Sequence, residues 1–198
     1  DWSGGSLYVD YREQRTSASP DALWRVIEGI GGQNGYYSAL FLWEIRGLLD
    51  RLIGGVGLRR GRRDPNHLYV GESVDFWRVE RCDRGQLLRL RAEMKLPGLA
   101  WLELIVDHDD AGNTVYRQRA TYRPFGLLGH VYWWVIVPFH FIVFGSMVRN
   151  IPKAAEDVHR YREIARSVGH TPRPPIILSN VACAPTREEA AACPKLLT

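Results

Sequence analysis

Pro124-Phe125-Gly126-Leu127-Leu128-Gly129-His130-Val131-Tyr132-Trp133-Trp134-Val135-Ile136-Val137-Pro138-Phe139-His140-Phe141-Ile142-Val143-Phe144-Gly145-Ser146-Met147-Val148 is a run of twenty-five residues without one Asp, Glu, Lys or Arg. Its length suits a membrane span, since about 20 apolar residues cross a hydrocarbon core. It also carries His130 and His140, and Pro138 removes a helical hydrogen bond at its centre. The run therefore reads as a long, kinked, wholly buried helix covered by a sheet, with a membrane helix as the alternative.

Working outward from it, Pro152 introduces a second kink, and Ala155, Val158, Tyr161, Ile164 and Ala165 carry helical spacing to about Ser167. The chain then turns proline-rich at Thr171-Pro172-Arg173-Pro174-Pro175. This gives one domain over residues 1–167 and a tail over 168–198. On the other side the period is two. Strands are predicted at Val74–Glu80, Gln86–Leu96, Ala100–Val106 and Thr114–Tyr122, separated by turns such as Asp83-Arg84-Gly85 and the polar loop 107–113. Charged residues such as Arg89, Arg91, Glu93, Arg117 and Arg119 take one face of these strands. The apolar face must be covered, and only the 124–148 run is apolar enough to cover it.

Upstream lies Leu58-Arg59-Arg60-Gly61-Arg62-Arg63-Asp64-Pro65. Arginines bind phosphate bidentately, so Arg59, Arg60, Arg62 and Arg63 read as a local anion site. A solvated loop partnered by nearby acids is the plain alternative. The patch has no aromatic residue for stacking on bases, and the net charge is only +4, so a nucleic-acid surface is not expected. Still earlier, a strand from Leu7 to about Thr16 precedes a helix capped by Ser19-Pro20-Asp21 and stopped by Gly31-Gly32, and a second helix is predicted over 39–53.

The chain has 198 residues, 45% hydrophobic and 24% charged, which fits an ordinary globular domain. Seven Trp and nine Tyr exceed what a core of this size needs for bulk, and such residues line pockets for apolar ligands. Cys82, Cys183 and Cys193 form no zinc-ligand grouping, and neither a metal nor a disulfide framework is expected. That cysteine usage and a start without a signal peptide predict a cytoplasmic protein. The absence of an initiating Met reads as a chain that begins partway through a longer one.

One strand, two short helices, a run of antiparallel strands and a long C-terminal helix resemble the α+β helix-grip fold of START lipid-transfer domains, pollen allergens and polyketide cyclases. The phrases Gly-Gly-Gln-Asn-Gly-Tyr-Tyr at 31–37, Leu-Arg-Arg-Gly-Arg-Arg-Asp-Pro at 58–65, Asp-Phe-Trp-Arg-Val at 75–79, Ala-Glu-Met-Lys-Leu-Pro-Gly at 92–98 and Gly-Leu-Leu-Gly-His-Val-Tyr-Trp at 126–133 resemble a bacterial domain family of unknown function. Members usually follow an NAD(P)-binding domain of the short-chain-dehydrogenase type. The resemblance implies such a domain in the same longer protein, but no catalytic residues. This chain has no Gly-x-Gly-x-x-Gly after a strand, so no cofactor is expected on it.

In a helix-grip layout, strand alternation points Asp75, Trp77, Met94, Tyr116, Gln118 and Tyr122 toward the helix, which adds His130, Trp133 or Trp134, and His140. The lining is mostly apolar with a few polar groups, and a filled core is the plain alternative. The leading expectation is a non-catalytic domain that binds a hydrophobic small molecule and presents it to the NAD(P)-binding domain. One alternative is a membrane-associated module in which residues 125–148 and the 59–63 arginines meet anionic lipid. Another is an enzyme of the cyclase or hydratase type with Asp75 and His130 as acid and base.

Overall fold

The computed structural model describes residues 5–38, 62–64, 66–169 and 171. Its elements are β1 (Tyr8–Arg15), α1 (Pro20–Glu28), a 3-10 turn (Gly32–Asn34), β2 (Ser73–Val74), β3 (Trp77–Asp83), β4 (Leu87–Ala92), β5 (Gly98–His108), β6 (Thr114–Pro124) and α2 (Gly126–Ser167). The six strands form one antiparallel sheet in the order β1-β6-β5-β4-β3-β2. This is the α+β helix-grip architecture, with a long C-terminal helix against the sheet. The second helix predicted over 39–53 lies outside the described residues, as do Arg59, Arg60 and nearly all of the 168–198 tail.

Local chemistry accounts for the element boundaries. Ser19 accepts a hydrogen bond from the Ala22 amide, and Pro20 occupies the first turn of α1. Its apolar face, Leu23, Val26 and Ile27, is buried, as is Ile30 just beyond its end. Glu28 at its end accepts from Trp24 Nε1 at 3.0 Å and from the Leu68 amide at 3.2 Å. Arg62, expected as an anion ligand, donates through Nη1 to the carbonyls of Glu28 and Ile30, both at 2.8 Å. These carbonyls sit at the end of α1, where a cation is favoured. Arg62 therefore ties its loop to the helix, while Arg63 is exposed and 3.9 Å from Glu72.

The predicted strand over 74–80 is broken. Asp75 adopts φ 54°, in the left-handed region, and splits the segment into β2 and β3 at a two-residue turn. Alternation on β4 to β6 matches the expectation, with Leu88, Leu90, Leu102, Leu104, Tyr116 and Gln118 buried on the inner face. The outer face is a lattice of ion pairs, including Arg78–Glu93 at 2.8 Å, Arg91–Glu80 at 2.9 Å, Arg119–Glu103 and Arg117–Asp107. Where both partners are exposed such pairs contribute little stability each, whereas Glu103 is buried beneath its arginine partners.

The expectation of a wholly buried helix is corrected. α2 continues through Pro138 and Pro152 to Ser167, and only 28% of its most apolar stretch is buried. Residues on one side, among them Trp133, Val143, Phe144, Met147 and Ile151, pack toward the sheet and α1. The other side of its first half, including Leu127, Leu128 and Trp134, is exposed. The run is long and apolar enough to cross a membrane, but one whole side of it is already committed to this fold.

At Gly129 the helix backbone lies tight against the chain at Pro97 and Pro124. A Cβ there would lie 2.5 Å from the Pro97 carbonyl oxygen and 2.7 Å from Pro124 Cβ. Gly145 is the contrasting case, because a Cβ there meets only the tip of the Arg12 guanidinium, at 2.8 Å. Gly129→Ala is expected to destabilise the protein by about 1–3 kcal/mol through overpacking. Gly145→Ala is expected to be neutral or slightly stabilising, because Ala is the better helix former and the arginine tip can move. Thermal unfolding of the two variants side by side checks the ordering.

Candidate functional site

The two ends of the inner sheet face differ in side-chain size. Toward α1 the face is filled by Leu88, Leu90, Leu104, Tyr116 and Gln118, each fully buried, and the Tyr116 hydroxyl donates to Gln118 Oε1 at 3.0 Å. Toward the start of α2, adjacent strands carry Ala100 and Ala120 instead. The side chains above these alanines do not fill the space they leave. The result is a cavity of about 370 Å³ between sheet and helix.

Trp77, Met94, Leu96, Ala100, Ala120 and Tyr122 form its sheet side, and Trp133, Ile136, Phe139, His140, Val143 and Phe144 form its helix side. Trp133 is held between two phenol rings, stacked on Tyr8 at 4.8 Å between centroids and on Tyr122 at 5.7 Å. His140 meets Trp133 edge-on at 5.3 Å and lies 4.9 Å from Phe144. The Tyr122 hydroxyl donates to the Pro97 carbonyl at 3.0 Å and lies 3.4 Å from that of Gly129. Burial, with a smaller contribution from Tyr132, pushes its pKa up to about 12, so it stays a neutral phenol at physiological pH. The Trp77 indole is almost wholly buried, and its Nε1 has no acceptor among the described residues. No carboxylate lines the cavity among the described residues.

Three of the eight residues expected to line the ligand site do so, namely Trp77, Met94 and Tyr122. Tyr116 and Gln118 lie further along the same inner face, in the filled core. Trp134 points outward and is 67% exposed; its neighbour Trp133 takes the inward place. His130 is on the edge, where its Nδ1 is 2.8 Å from the Tyr8 hydroxyl and joins α2 to β1. Asp75 is buried in the turn before β3, where its Oδ2 accepts from the Gly32 amide at 2.9 Å and from the Tyr36 hydroxyl at 2.8 Å. Burial, reinforced by the Asp75 charge, raises the Tyr36 pKa well above its ordinary value, so Tyr36 remains a donor. Asp75 and His130 thus serve separate contacts and form no acid–base pair in the cavity.

The alternation that aimed Asp75 inward fails because of its left-handed backbone. Ala100 and Ala120 complete the cavity, and small residues facing a large apolar helix were the signal for them in the chain; His140, expected from the helix, lines it as well. Among the described residues no group of three His, Cys, Asp or Glu side chains is placed to hold a metal.

A family model described as Protein of unknown function (DUF2867) matches residues 2–147. No curated protein sequence matches. Similar solved structures include truncated norcoclaurine synthase from Thalictrum flavum, with 15% identity over 75% of this chain and 92% of that one at a TM-score of 0.44. A protein from Chromobacterium violaceum shares 11% identity over 75% of this chain and 96% of that one, at a TM-score of 0.42. Ara h 8.0201 shares 10% over 77% and 99%, at a TM-score of 0.40. These likenesses are too loose to speak for a shared activity.

Asp75→Ala is expected to cost about 3 kcal/mol, since it strands the Gly32 amide and the Tyr36 hydroxyl and places alanine in a left-handed conformation. Asp75→Asn should keep stability within about 1 kcal/mol, because asparagine tolerates that conformation and its carbonyl accepts the same two bonds. Chemical denaturation of the two variants distinguishes this scaffold role from a catalytic one.

Proposed function

We propose, from the premise that the chain belongs to the family of unknown function DUF2867, that it is a binding domain for a hydrophobic small molecule held between the sheet and α2. The observation that carries the reading is the cavity itself. At about 370 Å³ it has the size of a small-ligand site, and its walls are apolar and aromatic with few polar groups. Among the described residues its wall contributes no carboxylate, so a cationic ligand would find no partner among them.

The binding is proposed as non-catalytic, in keeping with the separation of Asp75 from His130. Presentation of the molecule to an NAD(P)-binding domain in the same longer protein is part of the proposal. It is supported by the resemblance of the phrases at 31–37 and 126–133.

The neutral apolar probe N-phenyl-naphthylamine is expected to bind, with a rise in its fluorescence and in the melting temperature. At a hundred times its dissociation constant the gain is about 2.7 kcal/mol. Ala120→Phe, which places a ring in the cavity, should abolish binding while the protein stays folded. Unchanged probe binding by Ala120→Phe would place the site elsewhere.

A further inference from the structure

The outward side of α2 has no place in the ligand site. Leu127, Leu128, Val131, Trp134, Phe141 and Ile142 are each more than half exposed. They recur at helical intervals and so form one strip along the helix, about 22 Å long. Soluble monomers rarely expose a contiguous apolar patch of this kind without a partner for it.

Charge narrows the choice of partner. No Asp or Glu occurs from Thr114 to Ala155, so the strip and its surroundings in sequence carry only positive charge. Arg149 follows the strip on the same side of the helix; it is exposed and has no ion pair among the described residues, whereas Arg123 extends from the outer face of the sheet, away from α2. A third guanidinium, that of Arg12, lies 4.9 Å from the Phe141 ring, although Asp10 already meets its charge. An apolar strip bearing a tryptophan, with an unpaired arginine at its end and no acid near it in sequence, matches a surface that is hydrocarbon below and anionic above.

We propose that this side of α2 docks flat on an anionic membrane. The helix lies in the plane of the interface and does not cross it, because its opposite side is held on the sheet through Trp133, Phe144 and Met147. Val135 and Phe139 belong both to the cavity wall and to the exposed side. Docking therefore sets the cavity beside the bilayer, and an apolar ligand passes between the two without crossing water. That last step rests on the ligand reading above, whereas docking itself does not.

The test is flotation of the full chain, without detergent, with vesicles of phosphatidylcholine alone and of equimolar phosphatidylcholine and phosphatidylserine. Binding to the mixed vesicles is expected, weakened by salt. Arg149→Gln should lower the partition coefficient about fivefold. Leu128→Asp with Trp134→Ser should abolish it while circular dichroism and N-phenyl-naphthylamine binding stay unchanged, which separates this proposal from the ligand reading. Failure of the unaltered chain to float with mixed vesicles would overturn it. So would a dimer in sedimentation that Leu128→Asp dissociates in the absence of any vesicle binding, since the strip would then meet a second copy.

Discussion

The close approach of α2 to the sheet at Gly129 governs much of what the structure can do. With no side chain there, the helix backbone comes down onto Pro97 and Pro124. Just beyond, Trp133 slots between Tyr8 and Tyr122. These rings set the height of the helix above the strands at that point. The alanines at 100 and 120 sit beneath a helix whose distance is fixed by larger neighbours, so the space above them cannot close by simple settling. A cavity follows from a rigid spacer beside small residues, without any unusual element.

Polar groups buried elsewhere serve to hold this frame. Asp75 joins the turn before β3 to the Gly31-Gly32 loop and Tyr36, and Arg62 closes the end of α1. Glu156 accepts from the Thr16 hydroxyl at 2.7 Å and from the Ser17 amide at 3.0 Å, and these bonds hold its pKa below the usual carboxylate range. It anchors the later turns of α2 to the loop between β1 and α1. These buried charged side chains thus serve the scaffold, and the described cavity wall is mainly aromatic and aliphatic, with His140 among it.

Much of the fold was legible in the chain because the strands alternate. Leu88 and Leu90 against Arg89 and Arg91 leave one choice of face, and only the 124–148 run could cover it. The site was less legible for two physical reasons. The helix is apolar all round, so no polar side marks which face turns inward, and Trp133 could not be told from Trp134. On the sheet, a single left-handed residue at 75 broke the register of inward positions. Tyr116 and Gln118 were placed on the right face, but alternation cannot say where along that face the packing gives out. The same all-round apolarity favours a wholly buried helix on paper, where the structure leaves one side open.

The proposed ligand site requires that the space between Trp77, Ala120 and Phe144 admit an apolar guest. A crystal structure of the protein under xenon pressure tests it most directly, since xenon enters dry apolar cavities and needs no knowledge of the natural ligand. Xenon density is expected above Ala100 and Ala120, with Trp133 still stacked with Tyr8 and Tyr122. A cavity filled by Trp133 or Phe144 in other rotamers, with no xenon between sheet and helix, would contradict it.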